Sequence, residues 1–410
     1  MNRLYRNGVK YRRKGIGPTT FKVRPQIPLE NENDLSGNQF PREAIKGLAK
    51  EIADIFSEHL ESPWEFWAFC FLTCLGILIA DAVSLDSAIK VQARLYGVLL
   101  GRSARTHKST AIEIMVDLFR KLFPENFSVC QGVGSAEGLA KFLGNNKKTL
   151  LVLDEFRALV SKGIIRGSVL LPCVNTLFDQ NDYQSYTKNS EIKVESGYLS
   201  ILAASTIETF STIWTPASLD IGFINRLFLI PGESTRKEAI PEQIPEERLN
   251  PIKEKLRSAV ERIRKESPKL RMTREAKEAF SEWYRNMPDS IFADRLDAYG
   301  HRLMALFFIN EGKDRIEREM VERVIQVLNW QLQVREEFQP LDAEGRLAKL
   351  EQAIRRALTN GPLIERDLQR KVHSYRYGIS LWNFAIRNLK KAGEIYYDER
   401  KRIYSKISDD

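Results

Sequence analysis

Residues that bind soft metals are scarce in this sequence, which has four cysteines and four histidines among 410 residues. Cys70 and Cys74 are four positions apart on one predicted helix face, while Cys130 and Cys173 stand alone in apolar stretches. No second pair of Cys or His lies close enough to complete a zinc site. We therefore expect four buried free thiols and a reducing compartment, namely the cytoplasm.

The sequence also lacks an apolar run long enough to cross a membrane. Its most apolar stretch, residues 66–80, is shorter than the about 20 residues that a bilayer requires and is bounded by Glu65 and Asp81. We interpret it as a buried helix. The basic first residues are not followed by the apolar segment of a signal peptide, so we expect no membrane partner.

Acidic residues are absent from the first 24 positions, which contain eight Lys and Arg. The whole chain carries a net charge of +9. An excess of positive charge favours an anionic partner, and nucleic acid is the simplest one. The basic start is predicted to be a flexible arm on a phosphate backbone. A solvated tail, or a strap on a neighbouring subunit, is the alternative.

Two glycines of the standard phosphate-binding motif, G-x-x-x-x-G-K-[ST], are missing, because positions 102 and 107 hold Arg102 and His107. The layout of the motif is nevertheless present, with an apolar strand at residues 95–100, a loop and an amphipathic helix. An ordinary strand–helix turn would look similar. The residues expected to hold ATP here are Gly101, Ser103, Thr106, His107, Lys108, Ser109 and Thr110.

A second signal is the sequence TLLVLDE at residues 149–155, an apolar strand that ends in two acids. This is typical of the Walker B motif of P-loop ATPases. Asp154 is expected to bind Mg²⁺ together with Ser109, and Glu155 to polarise the attacking water. A core strand that ends in two solvated acids is the alternative.

Three further positions are candidates for sensing the nucleotide. A later apolar strand ends at Ser205 and Thr206, where a hydroxyl could sense the γ-phosphate. Arg226 precedes the next strand and could reach the nucleotide of a neighbouring subunit, or be a surface salt-bridge residue. Arg302 could face the nucleotide from a later helix, with Arg295 as its competitor.

Basic residues in three places are candidates for binding DNA. They lie in a glycine-flanked loop near residue 165, in a hairpin predicted over residues 183–199, and near the C-terminus. A plain surface loop and a solvated hairpin are the alternatives for the first two. The candidates are Lys162, Arg166, Lys188, Lys193, Arg387, Lys390, Lys391, Arg400, Lys401 and Arg402.

The pattern of elements predicts an α/β fold with several parts. A basic arm (residues 1–40) and an N-terminal helical block (41–92) precede a P-loop ATPase core of RecA or AAA+ type (93–235). A helical lid (236–340) and a final unit (341–410) follow. Three helices and a two-stranded wing in the final unit predict a winged helix, which contacts either DNA or protein.

Several blocks in this order resemble one family of ATPases, found in phage- and plasmid-borne primase-helicases and their stand-alone relatives. The similarity covers about residues 60–340, and the blocks are LYGVLLGRSARTHKSTA, SAEGLAKFL, LLVLDEFRALV, LFDQNDYQSY, YLSILAASTIETF and GFINRLFLIPGE. The resemblance implies Lys108 and Ser109 at the phosphates and the magnesium ion, the acid pair as Walker B, Ser205 or Thr206 as sensor, and Arg226 as finger. The final unit resembles that of mobile-element replication helicases.

The function expected from these features is an ATP- and Mg²⁺-dependent motor on single-stranded or forked DNA, assembled as a homo-oligomer, most simply a hexameric ring. No primase motif precedes the ATPase, so priming would come from a separate primase or polymerase. Two alternatives stay open. One is an ATP-dependent assembly switch on DNA that does not unwind, and the other is a transcription-type regulator with a vestigial loop.

Overall fold

The protein is described by a computed structural model covering residues 39–88, 93–103, 105–186, 191–214, 221–234, 236–338, 345–377 and 379–407. These belong to one compact unit, Asn38–Asp410. The helices are α1 Gly47–His59, α2 Trp64–Leu78, α3 Lys108–Leu122, α4 Ala136–Asn145, α5 Arg157–Gly163, α6 Leu170–Asp179, α7 Ile207–Thr212, α8 Glu246–Glu266, α9 Arg274–Arg285, α10 Leu296–Asn310, α11 Arg318–Glu337, α12 Gly345–Thr359, α13 Glu365–Lys371 and α14 Ile379–Lys391.

The strands are β1 Ser84–Leu85, β2 Tyr96–Leu100, β3 Ser128–Gln131, β4 Lys148–Leu153, β5 Tyr183–Tyr186, β6 Glu191–Val194, β7 Tyr198–Ser205, β8 Phe228–Pro231, β9 Lys269–Leu270, β10 Leu363–Ile364, β11 Ile395–Asp398 and β12 Ile403–Lys406.

Five parallel strands form the central sheet in the order β3-β4-β7-β2-β8. Leu99 of β2 is level with Ala204 of β7, and Leu151 of β4 is level with Ile201. Every residue of β2 is buried, as expected for parallel strands joined by helical crossovers. The fold class is therefore α/β, as predicted.

The apolar stretch of the sequence is α2, and all fifteen of its residues are buried. This helix packs against α1, α3 and the strands β2, β4 and β7. A helix that is apolar on every side has no face to offer to solvent, so burial on all sides is its stable arrangement. The prediction of a buried helix is confirmed. Among the described ranges, no helix is both long and apolar enough to span a membrane.

All four cysteines are buried and free, as predicted. Burial raises the pKa of the Cys173 thiol to about 12 and raises that of Cys70 further. Thiols in this state are protonated at neutral pH and therefore poor nucleophiles.

The edge of the sheet at β8 is covered by a side chain of α11. The amide oxygen of Gln331 accepts the N–H of Leu229 at 2.6 Å, and its amide nitrogen donates to the Leu229 carbonyl at 3.0 Å. These two bonds occupy backbone groups that a further strand would otherwise pair with. An edge strand left open is a template for aggregation, so Gln331 also protects the sheet.

Arg335, near the end of α11, joins the helical segment after residue 245 to the sheet. Its guanidinium is buried and donates to four backbone carbonyls, those of Phe292, Asp294, Asn225 and Leu227, at 2.7–3.1 Å. Burial lowers its pKa to about 10. One side chain therefore fixes the segment before α10 and the entry to β8 at the same point.

We expect Arg335→Ala to reduce the free energy of unfolding by about 3 kcal/mol, because it leaves buried carbonyls without donors and opens a cavity. Urea denaturation followed by circular dichroism measures this loss. Arg318→Ala is the matched control on the same helix, since Arg318 pairs with Glu322 at the surface. It should leave the midpoint unchanged, and equal losses in the two variants would contradict this role of Arg335.

The last described residues form three helices, α12 to α14, and a small antiparallel sheet in the order β10-β12-β11. Their core contains Leu350, Ile354, Leu368, Trp382 and Leu389, each at most 1 % exposed. The three helices and the hairpin of β11 and β12 agree with the predicted elements. Strand β10 was not predicted, because two residues are too few for a periodicity to be read.

The helix predicted over residues 41–60 starts later than expected. Arg42–Ala44 form a single 3₁₀ turn, and α1 begins at Gly47, whose φ is +66°. A Cβ on Gly47 would lie 2.4 Å from the carbonyl oxygen of Asn310. Asn310 in turn accepts the N–H of Ala49 at 2.7 Å, so α1 is capped by a side chain from α10. Such a distant cap leaves no local signal.

Candidate active site

Three strands of the central sheet end side by side, and each is followed by candidate site residues. Strand β7 lies between β2 and β4, and all three run in the same direction. Residues 101–107 follow β2, Asp154 and Glu155 follow β4, and Thr206 follows β7. Ligands of open parallel sheets bind beyond the carboxyl ends of the strands. The topology therefore brings the predicted loop, acids and sensor hydroxyls to one edge.

The loop after β2 folds back on itself around Thr106, whose side chain is 2 % exposed. Its hydroxyl donates to the Arg102 carbonyl at 3.2 Å. A Cβ on Gly101 would lie 2.4 Å from this hydroxyl, so the residue at position 101 must be glycine for the loop to close. The glycine one position early in the motif thus has a packing role. Ser103 is exposed on the outside of the loop.

Lys108 points its ammonium back into the loop. Its Nζ donates to the carbonyls of Gly101 at 3.0 Å and Arg102 at 3.2 Å, and to the Thr106 hydroxyl at 3.2 Å. Burial lowers the pKa of Lys108, and the carboxylates of Glu208 and Asp154 oppose that shift. The ammonium is therefore half-buried within the electrostatic reach of two acids that follow neighbouring strands.

His107 occupies the position of the missing glycine and has φ 45° and ψ 42°, in the left-handed region. Most residues with a Cβ avoid this region, and histidine is one of the few that enter it comparatively often. A glycine would adopt this conformation without strain, and His107 adopts it here. The absence of glycine in the sequence is thus compatible with the loop shape.

Ser109 and Thr110 lie exposed in the first turn of α3, directly after Lys108. The first N–H groups of a helix have no partner within it and carry partial positive charge, which favours an anion. Asp154 and Glu155 are also exposed, and the N–H of Phe156 donates to the Ala204 carbonyl at 2.8 Å. This bond fixes the turn that carries the two acids.

The two sensor candidates both use their hydroxyls locally. Thr206 caps α7, since its Oγ1 accepts the N–H of Thr209 at 3.1 Å and contacts the Thr209 hydroxyl at 2.9 Å. Ser205 is 4 % exposed and donates to the Thr206 carbonyl at 3.1 Å. A phosphate oxygen would have to compete with these bonds.

Glu208 is a site residue that the sequence reasoning missed. It lies in the first turn of α7, and its side chain is 13 % exposed. Its carboxylate raises the pKa of Lys108 more than the carboxylate of Asp154 does. Its Oε1 also lies 3.5 Å from Nε2 of His373, which follows α13. A single acid three positions after the end of a strand matches no motif, so only the fold identifies it.

Arg226 lies at the opposite edge of the sheet. It ends a 3₁₀ turn just before β8, whose first residue is level with Gly97 at the start of β2. Its guanidinium donates to Asp179 at 3.1 Å and to the Gly222 carbonyl at 3.0 Å. Arg295 donates to the same carboxylate of Asp179 at 3.0 Å. Both arginines therefore bind Asp179, and within the described part of the chain neither bonds to the Lys108 loop.

The prediction that Arg302 faces the nucleotide is wrong. Its guanidinium is buried, donates to the carbonyls of Arg94 at 2.6 Å and Phe178 at 2.5 Å, and stacks 3.7 Å from the centre of the Phe178 ring. Arg94 precedes β2, so Arg302 lies at the amino edge of the sheet, away from Lys108. The helix that carries it, α10, is buried on nearly every side, which turns this arginine into the interior.

The DNA-binding candidates are spread over the surface. Lys188 lies outside the described residues, while Lys193 pairs with Glu195 at 2.6 Å. Lys162 is in the last turn of α5 and not in the loop as predicted, because the helix continues to Gly163. The exposed members are Lys162, Arg166, Lys193, Arg387, Lys390, Lys391, Arg400, Lys401 and Arg402.

Two groups of these basic residues belong to the C-terminal elements. Arg387 and Lys391 are exposed on α14, and Arg400 and Lys401 are in the turn between β11 and β12. The ammonium of Lys390 lies about 5 Å from the rings of Tyr397 and Tyr404, at 5.0 and 5.2 Å. Lys390 therefore takes part in packing as well as in the surface charge.

Comparison with known proteins yields no family model that matches this chain and no match among curated proteins. The assignment of the candidate site therefore depends on its geometry alone.

Proposed function

We propose that the chain is an ATPase that couples hydrolysis to movement along DNA. The observation that carries this proposal is that three adjacent parallel strands end at one edge of the sheet and are followed by the loop with Lys108, by Asp154 and by the helix with Glu208. This edge lies beside the first turn of a fifteen-residue helix, and both acids act on the pKa of Lys108. An ammonium, unpaired helix N–H groups and a left-handed backbone position form a cradle for a polyphosphate. These features together support the interpretation of the segment after β2 as a P-loop.

The donors at this edge also fit a magnesium ion. Ser109 and Asp154 offer a hydroxyl and a carboxylate oxygen, which are hard ligands of the kind that Mg²⁺ uses when substrate phosphates complete its shell. Bound there, the ion would neutralise charge on the phosphates. The chain's own residues then have distinct tasks. Lys108 holds the phosphates, and Glu155 accepts a hydrogen bond from the attacking water and orients it.

A neighbouring copy of the chain would supply the finger. Arg226 lies at the far edge of the sheet from Lys108, so it can meet a nucleotide only across a subunit contact. A contact between two different surfaces of the same chain is head-to-tail, and such contacts form a ring where the rotation between subunits closes and a helical filament where it does not. In a ring, Arg226 would exchange Asp179 for the phosphates, and a hexamer is the simplest assembly to expect.

DNA is the proposed partner because exposed basic residues occur on the last helix, α14, and in the turn between β11 and β12. The C-terminal elements support a winged-helix reading, in which α14 lies in the groove with Arg387 and Lys391 while Arg400 and Lys401 contact the backbone. The net charge of +9 also favours binding to the negatively charged DNA backbone. The host process would be replication of a mobile element.

A strand-displacement assay tests the proposal. We expect the protein with ATP and Mg²⁺ to separate a forked duplex, and single-stranded DNA to increase its ATPase activity severalfold. ATP-dependent DNA binding without separation would favour the second candidate, an assembly switch. Absence of any nucleotide binding would exclude both and favour a regulator with a vestigial site.

One contact favours the second candidate specifically. His373, between α13 and α14, lies 3.5 Å from Glu208, and Glu208 acts on Lys108. DNA binding by the C-terminal elements could therefore alter the nucleotide site through one histidine. An assembly switch requires only such a link between the DNA-binding elements and the nucleotide site. A motor requires, in addition to the link, a DNA-contacting element that moves with the hydrolysis cycle.

A further inference from the structure

The turn between α1 and α2 contacts the end of the loop that leads into α3. Glu61 Oε2 lies 2.6 Å from Nε2 of His107, and the Ser62 hydroxyl donates to the His107 carbonyl at 3.0 Å. Both contacts converge on His107, the one residue with a left-handed backbone among the loop residues that the structure describes. One holds the side chain and the other holds the backbone of the same residue.

Glu61 has a second partner in the segment that leads to α8. Its Oε1 accepts the N–H of Glu238, and this bond, ahead of the effect of His107, lowers the pKa of Glu61. Arg236 in the same segment donates to the Ser57 carbonyl at 3.3 Å. The carboxylate is thus ionised and fixed from one side, so that its other oxygen is held in place for His107.

We propose that Glu61 and Ser62 are positioning residues for the phosphate loop, and that they replace the conformational freedom of the glycine that the motif lacks at position 107. This inference rests on the proposed function and deepens it. A residue with a Cβ is strained in the left-handed region, and the strain persists only where surrounding contacts hold the residue there. The two contacts to His107 supply that restraint from outside the loop.

The position of His107 determines how the loop presents its donors to a phosphate. It immediately precedes Lys108 and the free N–H groups of α3, so its φ and ψ set the direction of all of them. A loop that relaxes at His107 would present these donors to the phosphates in the wrong orientation. Nucleotide affinity should suffer more than the chemical step, because the acids after β4 are not displaced.

A double-mutant cycle tests the proposal with Glu61→Ala, His107→Gly and their combination. In the His107 chain, Glu61→Ala should raise KM for ATP about tenfold, as loss of a charge-assisted hydrogen bond would, and change kcat less than about twofold. In the His107→Gly chain, the same change should have less than about a twofold effect on KM. Glu61→Gln, which keeps a hydrogen-bond acceptor, should restore part of the affinity.

Equal effects of Glu61→Ala in both backgrounds would overturn the proposal, because Glu61 would then act through Glu238 or through stability alone. Ser62→Ala is the second variant, in case Glu61→Ala unfolds. It should also raise KM in the His107 chain.

Amide hydrogen exchange without nucleotide gives an independent readout. Exchange of a peptide that covers residues 101–110 should rise on Glu61→Ala in the His107 chain and not in the His107→Gly chain. If the effect of Glu61→Ala on exchange depends on His107 while no variant binds ATP, the proposed function is wrong and the role of Glu61 in positioning the loop is retained. If Lys108→Ala abolishes ATP binding but the exchange is uncoupled, the positioning proposal alone fails.

Discussion

Replacing Lys108 with alanine is expected to reduce ATP hydrolysis by about 10²–10³-fold, the range found when one preorganised donor to a developing charge is removed. The three N–H groups of the ammonium donate to two carbonyls and a hydroxyl of the loop, so a phosphate has to replace at least one of these acceptors. The side chain is nevertheless already confined to the loop that would bind the phosphates. Its partial burial strengthens its interaction with a phosphate relative to a surface lysine. Steady-state phosphate release and equilibrium binding of a fluorescent ATP analogue measure the two effects.

Lys121→Ala is the matched control for this variant. Lys121 is an exposed lysine near the other end of the same helix, α3, and should leave both hydrolysis and binding unchanged. Hydrolysis by the Lys108→Ala protein at the wild-type rate would show that the phosphates bind elsewhere. The assignment of the loop after β2 would then be wrong.

The sequence predicted the parts of the site that local patterns encode. The strands β2 (Tyr96–Leu100) and β4 (Lys148–Leu153) follow from apolar runs, and the helix from Lys108 follows from its hydrophobic periodicity. The acid pair follows from the residue types at the end of β4. The order of the strands in the sheet was not predictable in the same way, because pairing depends on contacts between distant segments. That order is what brings Asp154 towards Lys108.

The residues that were missed or misplaced act through the tertiary fold. Glu208 and Glu61 are single acids without motif spacing, and both reach the loop from other elements. Arg302 was misplaced because a polar residue in an apolar helix could face either a site or buried carbonyls, and periodicity does not distinguish the two. The motif specifies glycine at position 107, whereas the structure requires a left-handed backbone there, and His107 adopts that backbone. A comparison of residue types alone therefore does not show whether the loop can form.

Replacing Glu155 with glutamine should separate binding from hydrolysis. The amide keeps the size of the side chain but is a far weaker base, so we expect hydrolysis to fall by about 10²–10⁴-fold, the usual contribution of a positioned acid or base. ATP affinity should remain within about twofold of the wild type, because Glu155 is assigned to the water and not to the phosphates. Phosphate release and fluorescent-analogue binding report the two quantities side by side.

Two matched variants make this result interpretable. Asp154→Asn changes the neighbouring acid and should weaken Mg²⁺-dependent ATP binding, which Glu155→Gln should not. Glu113→Gln alters an exposed acid in α3 and should change neither quantity. The bond from the N–H of Phe156 to Ala204 holds the turn in all of them, so a difference between Asp154 and Glu155 reflects their chemistry and not their placement. If Glu155→Gln lowers affinity as much as Asp154→Asn does, the two acids share one role at the metal, and another group must orient the water.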